Sequence, residues 1–173
     1  MKIKYLIILL LFTNNINAVQ CSIDKRIMYS IAQVEKHNKR VIGYQYLISF
    51  NNKNDAYMAK NIYPFLFLDD RTIDCENETQ CSDILYNLQT YGIDNLDCGT
   101  FQINTKFWNM PYENYFNLEK SYKKACSIVE FYTKKELNWK NIAKYHSGTK
   151  KHNEKYQELL YIALKKNLKN KFK

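Results

Sequence analysis

Beyond Phe12 the chain contains no apolar run approaching the roughly 20 residues that a membrane-spanning helix needs, which excludes a permanent helical anchor. Histidine is scarce. His37, His146 and His152 share no compact spacing with cysteines or carboxylates, so neither a metal site nor a bound cofactor is expected. With 4 glycines and 2 prolines in 173 residues there is no linker and no repeat, and the chain reads as one domain. Acidic residues are outnumbered, 17 against 26 basic ones, for a net charge of +9. Such a balance suits nucleic acid, anionic lipid or an acidic wall polymer, and charge alone does not choose among them. No recognised nucleic-acid module carries the lysines and aromatics, so nucleic acid is not the expected partner. The basic surplus gathers in Lys165, Lys166, Lys169, Lys171 and Lys173, the pattern of a solvated helix face.

What is present begins with an export signal. Lys2 and Lys4 precede an apolar run from Tyr5 to Phe12, and polar residues lead to Ile16, Asn17 and Ala18, a secretory signal peptide cut after Ala18. Residues 19–173 are then a periplasmic or secreted monomer with a net charge of +7, since the leader removes two lysines and no acid. Cys21 suggests lipid attachment, but Gln20 stands where that reaction wants a small residue. All five cysteines lie in the exported part, where disulfides persist, and an odd number leaves one unpaired. Cys75 and Cys81 flank a polar loop that they can close, and Cys21 can staple the first helix to Cys126. Cys98 is then left free, although four paired cysteines allow three connectivities. Cys98 has no histidine near it in sequence, which leaves it a weak candidate for a nucleophile.

The stretch from Ile23 to Asn38 organises the rest. Ser22 is the expected N-cap, with Asp24 in the first turn of a helix running to Asn38. Ile27, Met28 and Ile31 follow at helical spacing, and Glu35 continues the same apolar face. A carboxyl half-buried among aliphatic groups has its charged form disfavoured, so its pKa rises toward that of a working general acid. The plainer alternative is a helix that ends near Glu35 and lets the side chain reach water.

Farther along, Val41 to Phe50 reads as a strand entering a turn at Asn51 to Asn54. Tyr63 to Leu68, broken by Pro64, reads as an edge strand or an extended connection. A helix is expected from Thr79 to Tyr91, closed by Gly92. The loop from Ile93 to Asn104 follows, with a glycine turn at Gly99. Further helices are expected from Leu118 to Glu136 and from Trp139 to His146, followed by a last amphipathic one carrying Tyr156, Leu159, Leu160, Ala163, Leu164 and Leu168. The expected class is mainly α, α+β, with a small β hairpin or lobe.

Three motifs now stand in order: IAQVE on the first helix, GTFQIN after the glycine turn, and IAKYHSG late in the chain. Together they resemble the lysozyme-like lytic transglycosylases, particularly the small exported ones that accompany type IV secretion and conjugation machinery. The resemblance covers roughly Ile23 to Tyr156. It implies a lysozyme-like helical domain that cleaves the bond between N-acetylmuramic acid and N-acetylglucosamine in peptidoglycan, with Glu35 as sole acid and base. It further implies that Gly99, Phe101, Gln102, Asn104, Tyr145 and His146 form the sugar site, with Tyr145 in contact with the catalytic carboxylate. Components of a secretion or conjugation apparatus become expected partners. The chain departs from the family's usual motifs at Lys36 (serine), at Thr100 and Phe101 (a bulky apolar residue and methionine), and at His146 (often asparagine). Two alternatives stand beside this reading. If Asp94 or Asp97 held a water opposite Glu35 the protein would be an inverting lysozyme-type hydrolase, although both aspartates are better explained as turn residues. A non-catalytic wall-binding assembly module would keep the groove without the reaction.

Overall fold

In the computed structural model, which describes residues 21–170, the first helix starts two residues later than its sequence suggests. Asp24 is the N-cap of α1 (Lys25–Glu35), its side chain accepting the Arg26 backbone N–H at 2.8 Å. Ser22 is diverted from capping because its backbone N–H and hydroxyl both donate to Glu130 Oε1, at 2.8 and 2.6 Å. The helix also stops at Glu35, with Lys36 extended, instead of continuing to Asn38. The expected leader, its cleavage site, and Lys171 and Lys173 lie outside the described residues.

Of the run from Val41 to Phe50 only β1 (Leu47–Phe50) is strand. Gly43, at φ +88°, breaks the extended path, and Arg40 and Tyr44 turn back to bond the buried Asp74. β1 pairs antiparallel with β2 (Thr72–Asp74) on one side and β3 (Leu96–Cys98) on the other, and β3 pairs with β4 (Ile103–Asn104). The result is a four-stranded antiparallel sheet in the order β2-β1-β3-β4. Between β1 and β2 lies α2 (Lys53–Ile62), capped by Asn52 where the sequence suggested only a turn. Of the edge strand or extended connection expected at 63–68, Pro64–Leu66 is a 3-10 turn, because proline suits the first helical position, and Phe67 bridges antiparallel to Ile73. The presumed loop at 93–104 is the β3–β4 hairpin.

The helical body is α3 (Glu78–Thr90), α4 (Tyr112–Phe116), α5 (Leu118–Thr133), α6 (Trp139–Ile142) and α7 (Lys150–Asn170). As the sequence implied, Gly92 takes φ +80° just past α3. α5 ends three residues short of Glu136, and the helix expected up to His146 divides into α6 and a 3-10 turn, Ala143–Tyr145. The chain is thus mainly α with a small antiparallel sheet, as expected. Among the described residues no helix is long and apolar enough to cross a membrane. Met28, Ile31, Phe50, Leu85, Tyr115 and Phe116 are fully buried where helices and sheet meet. Two disulfides clamp this body, Cys21–Cys126 and Cys75–Cys81, and Cys98 is free and buried in β3, the pairing first expected. With Cys21 engaged, its thiol is not open to lipid.

Candidate active site

A groove of about 830 Å³ runs between the end of α1, the sheet, the 143–148 turn and the start of α7. Glu35 is the last residue of α1, so the helix does end where the plainer reading placed it. The side chain nevertheless stays largely shielded, 13% exposed, because α7 closes over it. The Tyr156 hydroxyl on α7 donates to Glu35 Oε1 at 2.5 Å. Burial pushes the Glu35 pKa up from 4.5 to about 8; the Tyr156 hydrogen bond opposes that rise and the nearby Asp97 charge adds to it. At neutral pH this carboxyl holds its proton, and once it has given it up it can take another.

Tyr145 lines the groove and feels the Glu35 charge, but its hydroxyl donates to the Phe101 carbonyl at 2.7 Å. The tyrosine bonded to the carboxyl is instead Tyr156. Its position in the apolar stripe of α7 made it look like a core residue. A hydroxyl in an otherwise aliphatic stripe needs a partner, and that was the available signal. His146 stacks on Tyr156 with ring centroids 4.7 Å apart and planes 8° off parallel, and its Nδ1 lies 3.8 Å from Glu35 Oε1.

The β3–β4 hairpin supplies the opposite wall. Gln102, at φ +46°, faces the groove and donates from Nε2 to the Gly99 carbonyl at 2.9 Å. Gln102, Asn104, Tyr145 and His146 therefore join Glu35 at the groove, whereas Gly99 and Phe101 do not line it. Gly99 is needed for packing: a Cβ there would sit 2.0 Å from the Tyr115 carbonyl oxygen, and its φ is +73°. Phe101 is 3% exposed and meets Tyr122 edge-on in the core. Lys36 turns away, its Nζ donating to the Arg40 carbonyl at 3.4 Å.

The two aspartates part company. Asp94 is exposed, pairs with Lys106 at 3.4 Å and does not line the groove. Asp97 is not a turn residue. It projects from β3 into the groove, receiving Asn51 Nδ2 on Oδ2 and Asn104 Nδ2 on Oδ1, each at 2.8 Å. Burial raises its pKa and the two amide donors restrain the rise. Phe107, Trp108 and Tyr132 line the groove as well. Among the described residues one group of potential metal ligands is compact, Cys21, Cys126 and Glu130, but both sulfurs are spent in a disulfide. No family model matches the chain, and neither curated proteins nor solved structures provide a significant match.

Proposed function

We propose that the protein is an exported peptidoglycan lytic transglycosylase with Glu35 as its acid and base. One observation carries the reading: Glu35, its side chain 13% exposed and held by the Tyr156 hydroxyl, lines a groove of about 830 Å³, a setting in which burial pushes the carboxyl pKa up to about 8. As acid, Glu35 protonates the oxygen leaving the muramyl anomeric carbon, and positive charge develops on the sugar as that bond breaks. As carboxylate, it takes the proton of the muramyl 6-hydroxyl while that oxygen attacks the anomeric carbon. The glycan is cut, a 1,6-anhydro ring closes, and Glu35 ends protonated as it began. Tyr156 holds one carboxyl oxygen throughout, and Gln102, whose Nε2 is tied to the Gly99 carbonyl, presents its amide oxygen to a sugar hydroxyl. Local opening of the wall for a secretion or conjugation apparatus is the role that suits an exported chain of this kind.

The position of Asp97 favours a second reading. A carboxylate in the same groove, held by two amides, is placed to activate water, and the products would then be reducing ends. Mass spectrometry of fragments released from purified peptidoglycan separates the two. The expected fragments carry 1,6-anhydro-N-acetylmuramic acid, one water lighter than reducing-end fragments.

A further inference from the structure

Glu35 Oε1 has a second neighbour besides Tyr156. The His146 ring lies flat on the Tyr156 ring and brings Nδ1 to 3.8 Å from the oxygen that the tyrosine hydroxyl holds. We propose that His146 is a pH-sensing positioning residue of the Glu35 site: neutral, it leaves the carboxyl protonated and the groove uncharged at that point, and protonated, it places a cation beside the acid and opposes the reaction. The proposal rests on the acid/base role of Glu35 argued above.

The charges around the ring come from every side of the groove. Glu35 approaches from α1, Asp97 from β3, His152 and Tyr156 from α7, and Lys144 and Tyr145 precede it in the same turn. Packing against Tyr156 lowers the His146 pKa although about half of its side chain, 49%, meets solvent; Asp97 works to charge the ring and His152 works against that. At neutral pH the pair therefore carries its one proton on Glu35, the arrangement a general acid needs. Two groups this close titrate as a pair, so protonation of the ring shifts the carboxyl toward its charged form. It also sets a positive charge where the sugar itself becomes positive, which raises the barrier. Activity should thus fall on the acid side as His146 charges, and on the alkaline side as Glu35 ionises near pH 8.

His146→Phe tests this, because it keeps a ring over Tyr156 and removes the titration. The Glu35 carboxyl signal is followed by NMR in protein carrying 13C-labelled glutamate, alongside the His146 ring signals. In the wild type the carboxyl should show its main step near pH 8 and a smaller displacement that tracks the His146 titration. In the variant only the main step should remain. Superimposable Glu35 curves in the two proteins would overturn the proposal, and this measurement needs no turnover. In pH profiles of kcat/KM the variant should lose the acid limb and keep the alkaline one. An equal loss at every pH would mean that the ring only packs, and the proposal would be wrong. A wild type that cuts no glycan at any pH would sink the functional reading and leave the NMR comparison to decide this one.

Discussion

Glu35 is unusual in that its burial works against the fold and in favour of the chemistry. In the unfolded chain the carboxyl ionises near its ordinary 4.5, and in the folded one near 8, so between those values the folded state retains a proton that the unfolded state gives up. Stability from this source is complete below pH 4.5 and declines as the pH rises to 8, by at most about 4 to 5 kcal/mol. Glu35→Gln keeps the shape and the acceptor for Tyr156 while removing the titration. Turnover should fall by roughly a thousandfold or more. The variant should also be increasingly more stable than the wild type from pH 5 to pH 9 in urea melts, and retained activity would end the assignment. Tyr156→Phe removes a hydrogen bond that pulls the Glu35 pKa down, so the alkaline limb of activity should move to higher pH. The accompanying rate loss should be about tenfold, in line with a bond worth about 0.5 to 1.5 kcal/mol. At this scale the sequence was informative about Glu35, because the helical period alone put it on the apolar face. For Tyr156 it showed only a hydroxyl in need of a partner and not which one, since that partner lies 121 residues away. Long-range pairing of polar groups leaves no local period.

Elements were legible where one period ran long enough. α3 and α7 appeared in their places because apolar residues recur over three turns or more, and α5 was displaced only at its end. α2 and α4 went unseen, since two buried alanines in α2 and five residues in α4 make no stripe. The hairpin at 93–104 was read as a loop, its strands being three and two residues long and β3 being held by pairing with β1, a contact no local pattern encodes. The disulfides bear on how these elements hold together. Cys21–Cys126 ties the segment ahead of α1 to α5 across 105 positions, whereas Cys75–Cys81 spans 6. If restriction of the unfolded chain dominates, replacing both cysteines of the long bridge with serine should cost about 4 to 5 kcal/mol, and of the short one about 2. Chemical denaturation of the two double variants measures this, and equal losses would show that native packing around the sulfurs, not chain entropy, sets the cost.

Taken as a whole, the molecule sets two partly buried carboxyls, Glu35 and Asp97, in one groove, and the question is whether the second one takes part. Asp97 raises the Glu35 pKa through its charge, so it tunes the acid even if it never touches substrate. Asp97→Asn keeps the size of the side chain and leaves oxygen and nitrogen for Asn51 and Asn104 to reorganise around. If Glu35 acts alone, the variant should ionise Glu35 at lower pH and lose its alkaline activity earlier. Between pH 5 and 6 it should remain within roughly tenfold of the wild type and still release anhydro ends, because a neighbouring charge modulates a general acid without supplying a step. If Asp97 activates water, the same substitution should cost roughly a hundredfold or more at every pH, and the wild-type fragments should carry reducing ends. Mass and rate thus answer together: a wild type making anhydro ends whose Asp97→Asn variant keeps its rate leaves one carboxyl doing both proton transfers. A wild type making reducing ends whose variant is inactive makes the groove that of a hydrolase.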